Sequence, residues 1–460
     1  MKIDNALYYI HEIYQPMDVT GEFSETAYVS LMRVPKAPPN GKENEFDNEF
    51  DDSGPILEMR IPELDGIVEN SFVRYDKSRG RFEVIDINRD DTDSKTVEYF
   101  IHTSESLRND LINRYTSSSN EVIGKISKVF SYHVNVGHGN FSLVTFLENK
   151  KLQVWIIDAS EKEPSFLKKC DSKISYRENW KYCFKQIEED YKCDSFKVSK
   201  LFITHSHYDH FSAVVELLKE GYFANDLEVW LNLHYDCNAP AYVRMLSELK
   251  KKDRIHFVEP ICNNYSHKNI RILAPQERLY SKKILDPSKG NFLQEKNVNN
   301  ASAVYKITLN GKSIVFPGDI QSSGWDRMKE CKFFMGECNY YCISHHGSLN
   351  GHTRRTCVCG KKLQNVSECL LPNTICILMG RTGAYSGIYH ALVTEAFHPC
   401  FLHKTEQAPP CSYPKKGVSF LRIDWQSDIL DYYKEQQRIF SCAPTKRNLN
   451  PRCYIEMFGL

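Results

Sequence analysis

Between residues 204 and 210 the chain reads THSHYDH, which places three of its 16 histidines and one aspartate within seven positions. In an extended segment side chains two apart point the same way, so His205 and His207 can grip one ion together. Asp209 and His210 then turn with the chain into a following helix and face a second position. Imidazole and carboxylate donors suit borderline divalent ions such as Zn, Mn or Fe, and polar groups crowded this tightly at a strand end are hard to satisfy without a metal. The spacing H-x-H-x-D-H is specific enough to outweigh the plain alternative of a histidine-rich surface loop.

A centre for two ions needs more donors than one loop offers, and the remaining candidates fall at strand ends. The apolar run IVFPGD closes on Gly318 and Asp319, where glycine permits a tight turn that aims a carboxylate back at the site. ISHHGSLNGH ends another run with His345 and His346, one of which would complete the second half-site. WIIDAS puts Asp158 at a third strand end, where it can accept from a ligating histidine and fix its ring. Two divalent ions ~4 Å apart lower the pKa of a water between them and neutralise charge on the attacked group. Such a centre hydrolyses phosphodiesters, lactones, thioesters or β-lactams, and the donors alone do not choose among them.

The elements that must carry these residues alternate strand and helix from about residue 127, as expected for a layered α/β fold. KVFSYHVNVG, FSLVTFLE, LQVWIIDAS and KVSKLFITHS read as strands, HFSAVVELLKEG as a helix, and IRILAP, SAVYKITL, KSIVFPGD and YYCISHHG as further strands. Residues 1–126 are expected to form a β-rich domain, with strands at AYVSLMRV, ILEMRI, RFEVIDI and TVEYFI. A helix and linker follow at LRNDLINRYTSSSNEVIGK, and an acidic, Pro-rich loop covers residues 35–54. The hydrolase domain is expected over 127–425, and residues 426–460 as a helix opened by Ser427 and a basic tail.

Lys plus Arg balances Asp plus Glu at 59 each, so no global field draws in nucleic acid or membrane, and a charged substrate must be held locally. No stretch approaches the ~20 apolar residues of a membrane span, and the 16 cysteines carry no paired C-x2-C spacing. Both features point to a cytoplasmic protein with mostly buried free thiols. Cys357 and Cys359, with Cys369 and Cys376, could form a small zinc knuckle, and so could His398, Cys400 and His403 with Cys411, but buried free thiols are the better account.

This set of strand-end donors resembles the metallo-β-lactamase fold superfamily, an αββα sandwich whose loops gather metal ligands at one edge of two sheets. The resemblance spans residues 129 to 425 and implies His205 and His207 on a first metal, and Asp209 and His210 on a second. It also implies Asp319 between the two, His346 as the last histidine and Asp158 as the early motif aspartate. One ligand departs from the family pattern. Where a third first-metal histidine is expected, the chain has NVNNASAVYKITL, with Asn299 or Asn300 at the turn. An amide oxygen in place of imidazole would favour harder ions, so the cofactors expected are two divalent ions, Zn or Mn. His234, His256 and His267 are alternative sources of the absent nitrogen, although each reads better as a surface or packing histidine.

Within the superfamily, VNVGHGNFSLV, NN-S, GD and HHGS are similar to the soluble hydrolase domain of competence-type DNA-uptake (ComEC-like) proteins. The segment MGRTGAYSGIYHALVTEAFHPCFLHKTEQ resembles that branch's final strand, helix and strand, and places His390 near its late histidine. The resemblance implies phosphodiester hydrolysis of nucleic acid or nucleotides, with Asp209, His345 and His390 in catalysis. Either of the two histidines would protonate the leaving oxygen or hold a phosphate. Two other readings remain open: hydrolysis of a lactone, thioester or amide, and a degenerate metal site in a protein that binds a partner through its N-terminal domain.

Overall fold

The computed structural model describes residues 5–16, 23–36, 56–64, 66–116, 124–161, 176, 178–260, 269–275, 298–321, 324–325, 328, 337–352, 370–380, 388, 390–391, 393, 397, 402–405, 418–443 and 452–454. The acidic loop is outside these residues except for its first two positions, and so are Cys357, Cys359, Cys369, His267, His398, Cys400, Cys411 and most of the basic tail.

The N-terminal strands β1 (Leu7–Tyr14), β2 (Thr26–Arg33), β3 (Ile56–Arg60), β4 (Phe72–Asp76) and β5 (Arg81–Val84) form one antiparallel sheet in the order β3-β2-β1-β4-β5. Helix α1 (Thr92–Ile112) follows. The expected strand TVEYFI is therefore helical. Asp91 caps the helix by accepting from Ser94 N–H, and Val97, Phe100, Leu107 and Leu111 recur at helical spacing on its buried face.

The chain then enters β6 (Ile126–Val134), β7 (Phe141–Glu148), β8 (Lys151–Ala159), α2 (Asn179–Tyr191), β9 (Val198–Phe202), α3 (Tyr208–Phe211), α4 (Val214–Lys219), β10 (Phe223–Trp230), α5 (Pro240–Lys250) and β11 (His256–Val258). A second sheet is built from β12 (Ile270–Ala274), β13 (Val304–Leu309), β14 (Lys312–Phe316), β15 (Cys338–Cys342), β16 (Leu370–Leu378) and β17 (Leu402–Lys404), in sequential order. The chain returns to the first sheet through β18 (Phe420–Asp424), β19 (Ile429–Lys434), β20 (Gln437–Ala443) and β21 (Arg452–Tyr454). That sheet has ten strands in the order β11-β10-β9-β8-β7-β6-β18-β19-β20-β21.

Period-two alternation makes the sandwich. On β8, Trp155 and Ile157 face inward toward the second sheet while Val154 and Ile156 face helices α2, α4 and α5. Ile314 and Phe316 of β14 and Ile375 and Ile377 of β16 meet them from the opposite sheet. Val315, Cys376 and Leu378 point outward beneath Trp325, Met328, Val393 and Phe397. Burying each large apolar side chain contributes about 1.5–3 kcal/mol, so this shared core rigidly fixes the edge where the strand ends meet.

The C-terminal expectation is corrected. Residues 429–443 form a hairpin rather than a helix, and they extend the ten-stranded sheet past residue 425. Ser427 Oγ donates to Asp424 Oδ2 within the turn between β18 and β19 instead of capping a helix. Leu430 and Tyr432 alternate into the intersheet core, while Arg422 clamps Asp431 at 2.7 Å and Asp190 at 2.8 Å. These contacts across strands override the helix-favouring composition of KEQQR.

The N-terminal sheet is not isolated. Leu7, Tyr9, Met32, Val34 and Phe72 join α1 and the helical face of the ten-stranded sheet in one core. Ser104 Oγ donates to the Cys237 carbonyl at 2.7 Å, and Arg108 pairs with Asp236 at 2.6 Å. Among the described residues, no helix is long and apolar enough to cross a membrane.

Candidate metal centre

Strand β9 delivers Thr204 to His210 to the sheet edge, and the chain turns there into α3. His205, His207, His210, Asp319 and His346 are all buried, and Asp209 is half-buried. Donor atoms of Asp209, His210, Asp319 and His346 lie within 4.8 Å of one another. His346 Nε2 is 3.1 Å from Asp209 Oδ2 and 3.3 Å from Asp319 Oδ2, and His210 Nε2 is 3.7 Å and 3.4 Å from the same two oxygens. His205 packs against this group, its ring 4.1 Å from that of His210 and 4.8 Å from that of His207.

The surrounding bonds set the tautomers. His210 Nδ1–H donates to Asp158 Oδ2 at 2.8 Å, and His346 Nδ1–H donates to the Met379 carbonyl at 3.3 Å. Thr204 Oγ1 donates to Asp158 at 2.9 Å and stands 3.1 Å from His205 Nδ1. Each ring therefore turns Nε2 inward. The Nε2 atoms of His205, His207 and His210 and Oδ1 of Asp319 are buried without any hydrogen bond. Buried polar atoms are seldom left so, and a set of bare imidazole nitrogens around carboxylates fits divalent metal ions.

Electrostatics agrees with that donor set. Burial opposes the charge on Asp209 and Asp319, but neighbouring imidazoles outweigh it and hold both carboxyls well below their usual range. Burial also opposes a charged His346, yet Asp319 and Asp209 bring its pKa up to about 10.

Backbone strain gathers here as well. Asp158, His345 and His346 adopt positive φ angles of 53°, 49° and 48°, a region that non-glycine residues seldom visit. Gly318 has φ 56°, and a Cβ there would meet the Thr204 side chain at 2.6 Å. A side chain on Gly139 would strike the Asp209 carbonyl at 2.6 Å.

His345 faces elsewhere. Its Nδ1 is 2.9 Å from Asn350 Oδ1 and 2.8 Å from Ser348 Oγ, and Asn299 Nδ2 is 3.4 Å from its Nε2. His390 is half-buried beside the same turn, its N–H donating to the Gly347 carbonyl at 3.0 Å. Asn300 Oδ1 accepts from the N–H groups of Gln321 and Gly324, which braces the loop after Asp319. His234 pairs with Glu259 at 2.6 Å and His256 is exposed, so neither is a member of the cluster.

Three site residues escaped the sequence reading. His138 stacks 4.4 Å from His346 with Nε2 3.7 Å from Asp209 Oδ2, and its signal was the GHG within VNVGHGNFSLV. His11 and Glu12 come from β1, and no local pattern marked them.

No family model and no curated protein matches the sequence. Among solved structures the chain is similar to the metallo-β-lactamase fold protein YhfI from Bacillus subtilis, at 11% identity over 64% of this chain and 100% of that one, with a TM-score of 0.32. It is also similar to the short form of human tRNase Z, at 13% identity over 46% of this chain and 77% of that one, TM-score 0.22. A third is a mutant of the β-hydroxylase CmlA, at 11% identity over 86% and 69%, TM-score 0.33. Two sheets packed face to face, with helices outside and donors at the strand ends, are the arrangement expected from the resemblance to the metallo-β-lactamase fold. Superpositions this loose carry no argument about activity, and the fold rests on the paired sheets and the strand-end donors.

Proposed function

We propose that the protein is a metal-dependent hydrolase holding two divalent ions, Zn or Mn, and that it cleaves phosphodiester bonds in nucleic acid or nucleotides. The observation that carries the reading is the convergence of Asp209, His210, Asp319 and His346 next to His205 and His207, with the Nε2 atoms of His205, His207 and His210 buried and without a hydrogen bond. Bound there, the ions would supply a nucleophilic water of lowered pKa and a counter-charge for the attacked group.

The chain's own residues orient and move protons. Asp158 and the Met379 carbonyl hold the rings of His210 and His346, and Asp319 and Asp209 share both imidazoles. His345 and His390 flank the Gly347 turn, where either could hand a proton to a leaving oxygen. Similarity of the NN-S, GD and HHGS motifs to the ComEC-like hydrolase domain supports phosphodiester over carbon-centred hydrolysis. The balanced charge favours a short single strand, an end or a nucleotide over a long duplex, which would need a basic stripe.

The test is cleavage of a labelled single strand, a duplex and bis-p-nitrophenyl phosphate with Mn or Zn, comparing wild type with the Asp209→Ala/His210→Ala double variant. Metal-dependent cleavage abolished in the variant is expected. Two bound ions without cleavage of any of these would move the reading to a lactone, thioester or amide. A wild-type chain that takes up no metal would overturn the metal centre and favour a partner-binding protein.

A further inference from the structure

The backbone of the THSHYDH turn is held from several sides. Thr204 N–H donates to Asp158 Oδ1 at 2.8 Å, the Thr204 carbonyl accepts from Ala303 N–H at 2.7 Å, and the Asp209 carbonyl accepts from Asn140 N–H at 3.0 Å. All three partners belong to the two sheets of the sandwich and the loops at their ends. Tyr208 N–H is held differently. It is the first amide of α3, one of the donors that a helix leaves without an intrahelical partner, and His207 at the N-cap makes no side-chain cap. Its acceptor is His11 Nε2 at 2.8 Å, on β1 of the N-terminal sheet and 197 residues away in the chain.

A local feature of β1 brings His11 there. The ladder with β2 runs Ile10↔Leu31 and then Glu12↔Ser30, leaving His11 as an extra residue in a bulge. A bulge bends its strand and re-aims a side chain. The His11 ring lies 4.9 Å from that of His207 and edge-on to that of Tyr208 at 6.4 Å, with the residue only 8% exposed. Because Nε2 accepts a backbone N–H it carries no proton, which fixes the Nδ1–H tautomer. Tyr9, two residues earlier, supports the same turn at one remove. Its hydroxyl donates to Asn70 Oδ1 and accepts from Asn238 N–H at 3.3 Å, while the adjacent Cys237 Sγ donates to the Ser206 carbonyl at 3.9 Å.

We propose that His11 is a positioning residue of the metal centre: its imidazole, entering from the N-terminal sheet, pins the turn between His207 and Asp209 and so sets how the two halves of THSHYDH face each other. This rests on the dinuclear reading of the site and deepens it, because the N-terminal sheet then becomes part of the centre. The bond acts on the backbone at Tyr208 and the ring packs on His207, so its loss falls mainly on the ion held by His205 and His207. Asp209 and His210 keep the Asn140 and Asp158 bonds.

The experiment uses the full chain and compares wild type with His11→Phe, which keeps a ring and loses the acceptor, and His11→Gln, which restores an acceptor oxygen. Glu69→Ala is the control for general loosening of β1, since Glu69 accepts the Ile13 N–H. Calorimetry and elemental analysis give affinity and stoichiometry, visible absorption of the Co(II)-loaded protein reports coordination, and hydrogen–deuterium exchange of peptides spanning 204–210 reads the turn in metal-free protein. In His11→Phe one ion should be weakened by about tenfold or more and the other less, with an altered cobalt spectrum and faster exchange across 204–210. His11→Gln should recover binding and protection, and Glu69→Ala should keep both ions. A His11→Phe chain that binds and exchanges as wild type would overturn the proposal. So would equal weakening in the Phe and Gln variants with exchange across 204–210 unchanged, which would make His11 a ligand, or an equal loss in Glu69→Ala, which would make the effect one of strand stability. A wild-type chain that binds no metal would sink the dinuclear reading and this proposal with it, whereas two ions that His11→Phe leaves untouched would overturn this proposal alone.

Discussion

The two halves of the candidate centre are built differently. The second half-site draws Asp209, His210, Asp319 and His346 from loops at the edge of one sandwich, with the rings of His210 and His346 braced by Asp158 and the Met379 carbonyl of that same sandwich. The first half-site has two histidines from one loop and is roofed by a strand from another sheet. A half-site whose donors sit on one core is as rigid as that core. A half-site shared between two sheets is set by how well they dock, which here depends on Leu7, Tyr9 and Phe72 packing into the core on the helical face of the ten-stranded sheet.

The largest expected effect breaks the self-contained half. Asp319→Asn removes the carboxylate that approaches both His210 and His346, and should cut metal-dependent hydrolysis by about a thousandfold or more while costing at least one bound ion. Steady-state rates with elemental analysis check this, and an active variant with two ions would dismiss Asp319 as a shared ligand. Asp158→Asn tests the bracing: losing the strong acceptor for His210 Nδ1–H should weaken metal binding about 10–100-fold, with the second half-site affected more than the first. Calorimetric titration reads the asymmetry, and equal weakening of both ions would blur the distinction between the halves.

Gly318→Ala should act through the scaffold. A left-handed φ and the clash with Thr204 together destabilise by about 2 kcal/mol, visible as a lowered melting temperature in metal-free protein. A variant melting with wild type would show that the Asp319 turn is looser than drawn. The smallest effect lies away from both halves. Burial lowers the pKa of His133 to about 3 and that of His403 to about 4. As pH falls from about 6.5 towards 4, the unfolded chain takes up protons that the folded chain refuses, so stability is full above 6.5 and declines through that window. Thermal melts of metal-free wild type between pH 7.5 and 4.5 should show the decline, and His403→Gln should make it shallower.

Much of the second half-site was legible because metal ligation demands particular residue types at short spacing. THSHYDH and the ends of IVFPGD and ISHHGS announce donors in a line of text. Glu12 and His11 were not legible, since His11 and its partner Tyr208 are 197 residues apart and nothing local to β1 marks a site. The same limit explains the misread C-terminus. SDILDYYKEQQRIF has helix-favouring residues, and its strands exist because β18 and the Arg422 clamp offer a sheet edge to extend. TVEYFI failed in the opposite sense: its β-branched and aromatic residues suit a strand, but the Asp91 cap and the buried face of α1 prevail.

The sequence by itself supplied the donors and the expectation that they divide between two positions, because extended and turning segments display neighbouring side chains in a fixed way. The residues alone left His345 and His346 both open, and only the family resemblance favoured His346. Tertiary structure decided that through two successive left-handed residues, at φ 49° and 48°, which swing His346 onto Asp209 and Asp319 and turn His345 toward Glu12. Such dihedrals are held by packing from several strands at once, and so is the docking of β1 over the first half-site; neither is encoded in any short stretch of the chain.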